Sequence, residues 1–178
     1  MKVKSFLLTI ISSVLLCGCA TLNPVSVTKN SSPDSYKYVY ISPTKSLTSS
    51  TGGVYGGAYG VYGSTTSKSV NPTDVITGIL AKNGFIRLPE LKNELSEETL
   101  IINYGESGRR NTGMGGYTIE VTIQFVSAKS NELISSCTAE GQGQTEVDDI
   151  RQAITRCLSV LFSSESLNRQ GSPDIFRP

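Results

Sequence analysis

The stretch from Tyr117 to Phe125 alternates strictly between apolar and polar side chains. Its odd positions carry Tyr117, Ile119, Val121, Ile123 and Phe125, and its even positions carry Thr118, Glu120, Thr122 and Gln124. A period of two predicts a β-strand with one face on a core and the other near water. This strand constrains the fold more than any other segment, because its apolar face requires partner strands and a covering layer.

The residues around this strand predict further strands. Turn residues at 129–132 bring the segment Leu133–Glu140 back as an antiparallel partner. Three other runs are rich in β-branched or aromatic residues and end near proline, glycine or polar residues. They are Tyr36–Ile41, Phe85–Leu88 and Thr99–Tyr104.

Two helices are predicted. The first begins at Asn71, a capping residue followed by Pro72 at the first helical position, and ends at Asn83-Gly84. The second spans Val147–Phe162 and is amphipathic. Its apolar face consists of Val147, Ile150, Ile154, Cys157, Leu158 and Leu161.

Together these elements predict an α+β fold: a mixed, mainly antiparallel sheet of four to five strands with two helices packed on one face. A right-handed β-loop-α-β unit is expected to join the first strand to the second. The domain is predicted to span residues 36–163, which is long enough to bury a single core. The polar residues 164–178 are predicted to form a loose tail.

Two glycine-rich segments interrupt this pattern. Residues 46–69 contain Val54-Tyr55, Ala58-Tyr59 and Val61-Tyr62, each followed by glycine, and have no core-facing period. This composition predicts a long loop or a mobile hairpin, since glycine disfavours a helix. Residues 105–116 are predicted to form a second flexible loop.

The N-terminus has the features of an export signal. Lys2 and Lys4 precede an apolar segment, Phe6–Leu16, that is shorter than the roughly 20 residues a membrane-spanning helix needs. The following residues, Leu16-Cys17-Gly18-Cys19, resemble the lipobox of bacterial lipoproteins. The alternatives are an ordinary secretory peptide cut nearby, or a buried apolar strand.

The resemblance to lipoproteins implies that residues 1–18 are removed after Gly18. Cys19 would then carry a thioether-linked diacylglycerol, and usually an acyl chain on its amine, which together make a durable membrane anchor. Ala20 is not the aspartate that favours retention in the inner membrane, so the resemblance implies an outer-membrane protein facing the periplasm. Residues 19–35 are rich in Asn, Ser, Thr and Pro, and are predicted to be a lipidated flexible tether.

The balance of charged residues does not indicate nucleic acid or anionic lipid headgroups as partners. The chain has 16 basic and 15 acidic residues, and no basic stripe argues for binding to nucleic acid. No polybasic segment argues for headgroup binding beyond the lipid itself.

After the signal, Cys137 and Cys157 form an even pair in an oxidising compartment, which favours a disulfide. The alternative is two small buried hydrophobic side chains that never meet.

The sequence offers little for catalysis. It contains no histidine, which removes the common nucleophilic triads and the usual zinc sites. Neither the glycines at 113–116 nor those at 141–143 complete a nucleotide-binding motif. The adjacent carboxylates Glu97-Glu98 and Asp148-Asp149 splay apart on a helix. We therefore expect a protein that is not an enzyme and has no cofactor or metal.

Two segments are candidate contact surfaces. Tyr55, Tyr59 and Tyr62 offer large contact area at low entropic cost, which suits recognition of proteins or glycans, and the alternative is a tolerated low-complexity insertion. Arg109 and Arg110 can bind carboxylate or phosphate, and the alternative is a pair of solvated loop arginines.

From the sequence we expect an accessory or docking subunit of the cell envelope, by coarse analogy with small periplasmic accessory lipoproteins. An envelope protein is the expected partner. The alternatives are a glycan- or peptidoglycan-binding lipoprotein and, less favoured, a hydrolase that uses carboxylates.

Overall fold

The protein combines a six-stranded mixed sheet, a separate two-stranded hairpin and two helices in a computed structural model that describes residues 21–57, 60–113 and 116–170. The strands are β1 (Ser26–Lys29), β2 (Tyr38–Ile41), β3 (Leu47–Gly57), β4 (Gly60–Val70), β5 (Ile86–Arg87), β6 (Thr99–Gly113), β7 (Gly116–Ser127) and β8 (Leu133–Gly141). The helices are α1 (Pro72–Lys82) and α2 (Glu146–Gln170), with short 3₁₀ helices at Pro33–Ser35 and Asn93–Glu98. The predicted mixture of sheet and helices is found, but the sheet has more strands than the four to five predicted.

The strand order in the large sheet is β1-β8-β7-β6-β2-β5. The four strands β1, β8, β7 and β6 are antiparallel to their neighbours, whereas β2 runs parallel to both β6 and β5. The parallel pair β2 and β5 is connected through the β3–β4 hairpin and α1, as expected for a β-loop-α-β unit.

The additional strand, β1, lies inside the segment 19–35 that was predicted to be a flexible tether. It pairs with β8 from Ser26 opposite Thr138 to Lys29 opposite Ser135. The tether prediction is therefore wrong for Ser26–Lys29. Three of the four β1 residues are exposed, so this edge strand has no alternating pattern that the sequence would reveal.

The core lies between the sheet and the two helices. Ile119, Val121, Ile123 and Phe125 of β7 have no exposed surface, which confirms the face predicted from alternation. Tyr117, near the start of the same strand, is 37% exposed because it lies at the end of the sheet.

Helix α1 begins and ends where the sequence predicts. The Asn71 side chain accepts a hydrogen bond from the backbone N–H of Thr73, and Pro72 occupies the first turn. Asn83 follows the last helical turn, and Gly84 has a φ of +89°, a conformation that glycine adopts without strain.

Helix α2 buries the face predicted from its apolar pattern: Val147, Ile150, Ile154, Cys157, Leu158 and Leu161. The helix continues to Gln170, so residues 164–170 of the predicted loose tail are helical. The rest of that tail lies outside the described residues.

Both glycine-rich segments are largely paired strands. In the region 46–69, β3 and β4 pair from Leu47 opposite Val70 to Gly57 opposite Gly60, which is the hairpin alternative of the prediction, and we call this hairpin the ribbon. In the region 105–116, β6 and β7 continue their pairing to Gly113 opposite Gly116, with two irregularities in register, so the predicted flexible loop is wrong. Backbone pairing satisfies N–H and C=O groups there without a hydrophobic face.

Candidate functional site

Glu140, near the end of β8, is the centre of a hydrogen-bonded cluster. Its carboxylate accepts two hydrogen bonds from the Arg110 guanidinium, from Nε to Oε1 at 2.8 Å and from Nη2 to Oε2 at 2.7 Å. It also accepts from the backbone N–H and the side-chain amide of Asn23, each at 2.9 Å. The Glu140 side chain is 4% exposed, so these bonds replace the water that a carboxylate otherwise requires.

A second arginine extends the cluster along the N-terminal segment. Arg156 of α2 donates to the backbone carbonyl of Glu140 and, at 2.9 Å, to the carbonyl of Asn23. Arg110 also donates to the carbonyl of Thr21 at 3.2 Å. We call Thr21, Asn23, Arg110, Glu140 and Arg156 the clamp, because they hold the start of the described chain to β6, β8 and α2.

Electrostatics favour the ionised clamp. Hydrogen bonds from Arg110, opposed by burial and assisted by the backbone N–H of Asn23, lower the pKa of Glu140 to about 2. The carboxylate is therefore charged at neutral pH.

Several structural elements meet at the clamp. These are the N-terminal segment, the paired ends of β6 and β7, the loop 142–145 and the first turn of α2. We call this part of the domain the anchor end.

Arg109, the neighbour of Arg110, also binds a carboxylate of the same chain. Its Nη2 atom lies 2.5 Å from Oε1 of Glu146, and its guanidinium lies 5.2 Å from the centre of the Tyr117 ring. The structure thus places both predicted arginines at the anchor end, where each pairs with a carboxylate of this chain. Neither arginine presents an unpaired guanidinium to a partner.

The loop after β8 packs directly on the start of α2. A Cβ atom at Gly141 would lie 1.8 Å from the backbone carbonyl oxygen of Asp149, and one at Gly143 would lie 2.5 Å from Cβ of Asp148. The glycines at 141 and 143 therefore allow close packing of the loop on the helix.

Two carboxylates, Glu146 and Asp149, line a hollow of about 190 Å³ beside this loop. The Asp149 carboxylate accepts a hydrogen bond from the backbone N–H of Gly143, and burial raises its pKa. Glu146 is paired with Arg109. The carboxylates of Glu146 and Asp149 therefore both have partners within the chain. This geometry does not favour hydrolysis by a pair of free carboxylates.

The ribbon contacts the domain at its base. Leu47 and Val70 reach the core, and Lys68 forms an ion pair with Asp148 of α2, with Nζ to Oδ2 at 2.8 Å. Residues 65–69 of β4 are exposed. Among the described residues, β3 and β4 pair only with each other.

The candidate tyrosines belong to the far part of the ribbon. Tyr55 and Tyr62 occupy directly opposite positions in the register of β3 and β4. Tyr59 lies in the two-residue interval outside the described residues. The backbone pairing thus brings two of the three tyrosine positions together, which the sequence repeat did not predict.

Cys137 of β8 and Cys157 of α2 form a disulfide, with their Cα atoms 5.6 Å apart. Cys137 lies in the middle of the sheet, opposite Val27 of β1 and Ile123 of β7, and Cys157 follows Arg156 in α2. The bridge therefore connects the middle of the sheet to the long helix.

A cleft of about 650 Å³ lies between α1, α2 and the base of the ribbon. Its charged lining residues are Asp74, Lys82 and Arg151, and it also contains hydroxyl groups of Ser46, Ser69 and Thr155. Val70, Val75 and Ile79 share this lining, so the cleft suits a ligand that has both polar and apolar surface.

No metal-binding cluster of three or more His, Cys, Asp or Glu side chains occurs in the described ranges. Across those same ranges, no helix has the length and hydropathy to cross a membrane. Gly18 and Cys19, predicted as cleavage and lipidation residues, lie outside the part of the chain that the structure describes.

Sequence analysis missed the clamp. Glu140 is the single carboxylate in the predicted strand Leu133–Glu140, which was the available signal. Its partner Asn23 lies 117 residues away, and a hydrogen bond over that separation leaves no local pattern.

These features define an α+β domain whose N-terminal segment is fixed to the sheet and whose ribbon lies in the connection between β2 and α1.

No protein-family model and no curated protein matches the chain. Two solved structures of PelC from Paraburkholderia phytofirmans, both dodecamers, are similar to it, each with a TM-score of 0.45. The first, PelC with a single leucine replaced by methionine, is 15% identical to this chain, and the alignment covers 77% of this chain and 95% of that PelC chain. The second is 13% identical, and the alignment covers 79% of this chain and 97% of that PelC chain. At this TM-score, no functional conclusion follows from the similarity.

Proposed function

We propose that the protein is a lipid-anchored lipoprotein of the outer membrane that acts as a non-enzymatic docking subunit for other envelope proteins. The anchor rests on the lipobox-like residues Leu16-Cys17-Gly18-Cys19. The disulfide between Cys137 and Cys157 supports an oxidising compartment such as the periplasm.

The observation that carries the docking role is the ribbon. The two eleven-residue strands of the ribbon connect β2 to α1. The connection from a strand to the helix of a β-α-β unit usually needs only a short loop. Each strand of a two-stranded ribbon has one edge of unpaired backbone groups, which suits addition of a strand from a partner. Tyrosine positions near the end of the ribbon add contact area at low entropic cost.

A pull-down from gently crosslinked envelopes tests this function. The test variant lacks residues 54–63, which joins Gly53 to Ser64 as a two-residue turn closed by the register pair Gly52 and Thr65. We expect specific envelope proteins to be captured by the wild type and lost with this deletion. A matched control keeps the length of the ribbon and replaces Tyr55, Tyr59 and Tyr62 with serine.

The control separates two modes of docking. Loss of partners in the serine variant would assign binding to the tyrosine rings, whereas retention would assign it to the backbone edges. Capture of the same proteins by the deletion variant would remove the ribbon from the docking surface. Capture of no envelope protein by the wild type would contradict the docking role.

The lipid anchor has an independent test. Mass spectrometry of the mature protein should find diacylglycerol on Cys19, and Cys19→Ala should release the protein from the membrane fraction. In addition, Ala20→Asp should move the lipidated protein from outer-membrane to inner-membrane fractions. An unmodified Cys19 would exclude the lipoprotein assignment.

Glycan binding is a second candidate function, favoured by the cleft between α1 and α2. Its acidic, basic and hydroxyl groups can form the hydrogen bonds that a sugar offers. Titration with soluble peptidoglycan fragments tests it, with Arg151→Ala as the site variant and Arg87→Ala as a control outside the cleft. Saturable binding that only Arg151→Ala weakens would favour this function over docking.

A further inference from the structure

The clamp determines how far the domain can lie from a lipid on Cys19. The first residue held by a side chain of the domain is Thr21, whose carbonyl oxygen accepts a hydrogen bond from Arg110. Two residues of fully extended chain span at most about 7 Å. By contrast, the flexible tether predicted over residues 19–35 would have allowed a typical separation of about 20 Å.

We propose that the anchor end rests directly on the surface of the lipid bilayer, with the long axis of β6 pointing away from the membrane. This inference rests on the proposed lipidation of Cys19. The occupant of the surface is the bilayer to which that lipid belongs, because the chain between Cys19 and the clamp is too short to reach past the anchor end.

The clamp resists reorientation because several groups hold the same segment. Glu140, Arg110 and Arg156 make four hydrogen bonds to the side chain or backbone of Thr21 and Asn23. Three residues after Asn23 the chain enters β1, which pairs with β8. Rotation of the domain about the lipid therefore requires the whole segment to detach.

Charge at the anchor end neither attracts nor repels a membrane strongly. Arg110 is paired with Glu140 and Arg109 with Glu146, and Asp148 in the first turn of α2 is paired with Lys68 from the base of the ribbon. The lipid supplies the affinity and the clamp supplies the orientation. Contact with the bilayer should therefore not depend on anionic headgroups.

A fluorescence-quenching experiment on the full lipidated protein tests the orientation. Single labelled cysteines are introduced by Gln144→Cys at the anchor end and Glu94→Cys at the opposite end, both at exposed positions. From Thr99, beside the second site, to Arg110 in the clamp, β6 extends about 35 Å. In phosphatidylethanolamine vesicles with a headgroup-quenching lipid, we expect several-fold stronger quenching at 144 than at 94.

A linker variant provides the matched control. Ten Gly-Ser residues inserted between Ala20 and Thr21 leave the clamp intact but lengthen the connection to the lipid. The difference in quenching between the two labels should collapse in this variant. A difference that persists would show that the surface binds lipid by itself, and would overturn the role of the short connection.

The failure of this inference is distinguishable from failure of the proposed function. Equal quenching at both sites in a protein with lipidated Cys19 would overturn the orientation alone. Absence of lipid on Cys19, measured by mass spectrometry on the same preparation, would overturn the lipoprotein assignment and the orientation that rests on it.

Discussion

The anchor end and the ribbon are both extensions of the core, but the protein holds them in different ways. At the anchor end, a buried carboxylate with four hydrogen bonds and direct backbone packing connect the N-terminal segment, β6, β8 and α2, and a disulfide further along β8 joins the same strand to α2. The base of the ribbon carries two apolar residues and an ion pair whose lysine is 44% exposed. Side-chain contacts to the domain are thus concentrated at the anchor end, while β3 and β4 pair only with each other among the described residues.

The largest effect is expected where backbone packs on backbone. Gly141→Ala would place a methyl group 1.8 Å from the carbonyl oxygen of Asp149, so the loop or α2 must move. We expect it to lower the free energy of unfolding by more than about 3 kcal/mol in urea denaturation. Gly105→Ala is the matched control, because its Cβ meets nothing within 4 Å. Equal stability of the two variants would show that the anchor end is not tightly packed.

The disulfide is expected to contribute nearly as much. Replacing Cys137 and Cys157 with alanine removes a bridge between residues 20 positions apart. The chain-entropy model assigns such a loop about 3 kcal/mol of stability. Chemical denaturation of the double variant should match that of the wild type under reducing conditions. A wild type insensitive to reductant would contradict this prediction.

Removal of the central carboxylate tests the clamp itself. Glu140→Gln keeps the shape of the side chain but loses charge-assisted hydrogen bonds in a buried site, and should lower the free energy of unfolding by about 2 kcal/mol. Glu97→Gln is a matched control, since Glu97 forms an exposed ion pair with Lys129 at the other end of the sheet. We expect no measurable change for that control.

Acid should weaken the clamp selectively. The pKa of Glu140 is lowered to about 2 in the folded protein, below its ordinary value of 4.5, so unfolding at low pH takes up a proton. Its stabilising contribution is complete above about pH 5 and is lost as the pH falls towards 2. The free energies of unfolding of the wild type and Glu140→Gln, measured by denaturation, should therefore converge as the pH falls from about 5 towards 2. A constant difference between them would contradict the assignment.

The smallest effect is expected at the base of the ribbon. Lys68→Ala removes the ion pair with Asp148, but both side chains are partly hydrated and such pairs contribute little. The thermal midpoint should not shift measurably. A shift as large as that of Glu140→Gln would mean that ribbon and anchor end are held with similar strength, and would remove the contrast between them.

The sequence predicted the elements whose pattern is local. The alternation from Ile119 to Phe125 gave the central strand, and Asn71-Pro72 gave the start of α1, because one face or one cap specifies each. It did not predict β1, whose mostly exposed residues have no apolar period, and it left the ribbon open between a loop and a hairpin, because its glycines give no apolar pattern.

The site was harder to predict than the fold. Arg110 was identified as a group that binds carboxylates, but its ligand is Glu140 of the same chain. Burial of Glu140 depends on Asn23, far away in sequence, which covers it only after β1 joins β8. Contacts of this kind arise from topology and have no counterpart in composition or spacing.

The position of β1 at the edge of the sheet has a consequence for the order of events during biosynthesis. If the protein is exported as proposed, its N-terminus emerges first, and β1 has no pairing partner until Leu133–Gly141 has followed it through the membrane. Closing a loop of more than one hundred residues is also entropically costly, so this contact belongs to the late stages of folding. Under the proposed lipidation, the segment next to Cys19 would therefore stay accessible to modifying enzymes while the chain is in transit, and pairing of β1 with β8 would withdraw it once the domain is complete.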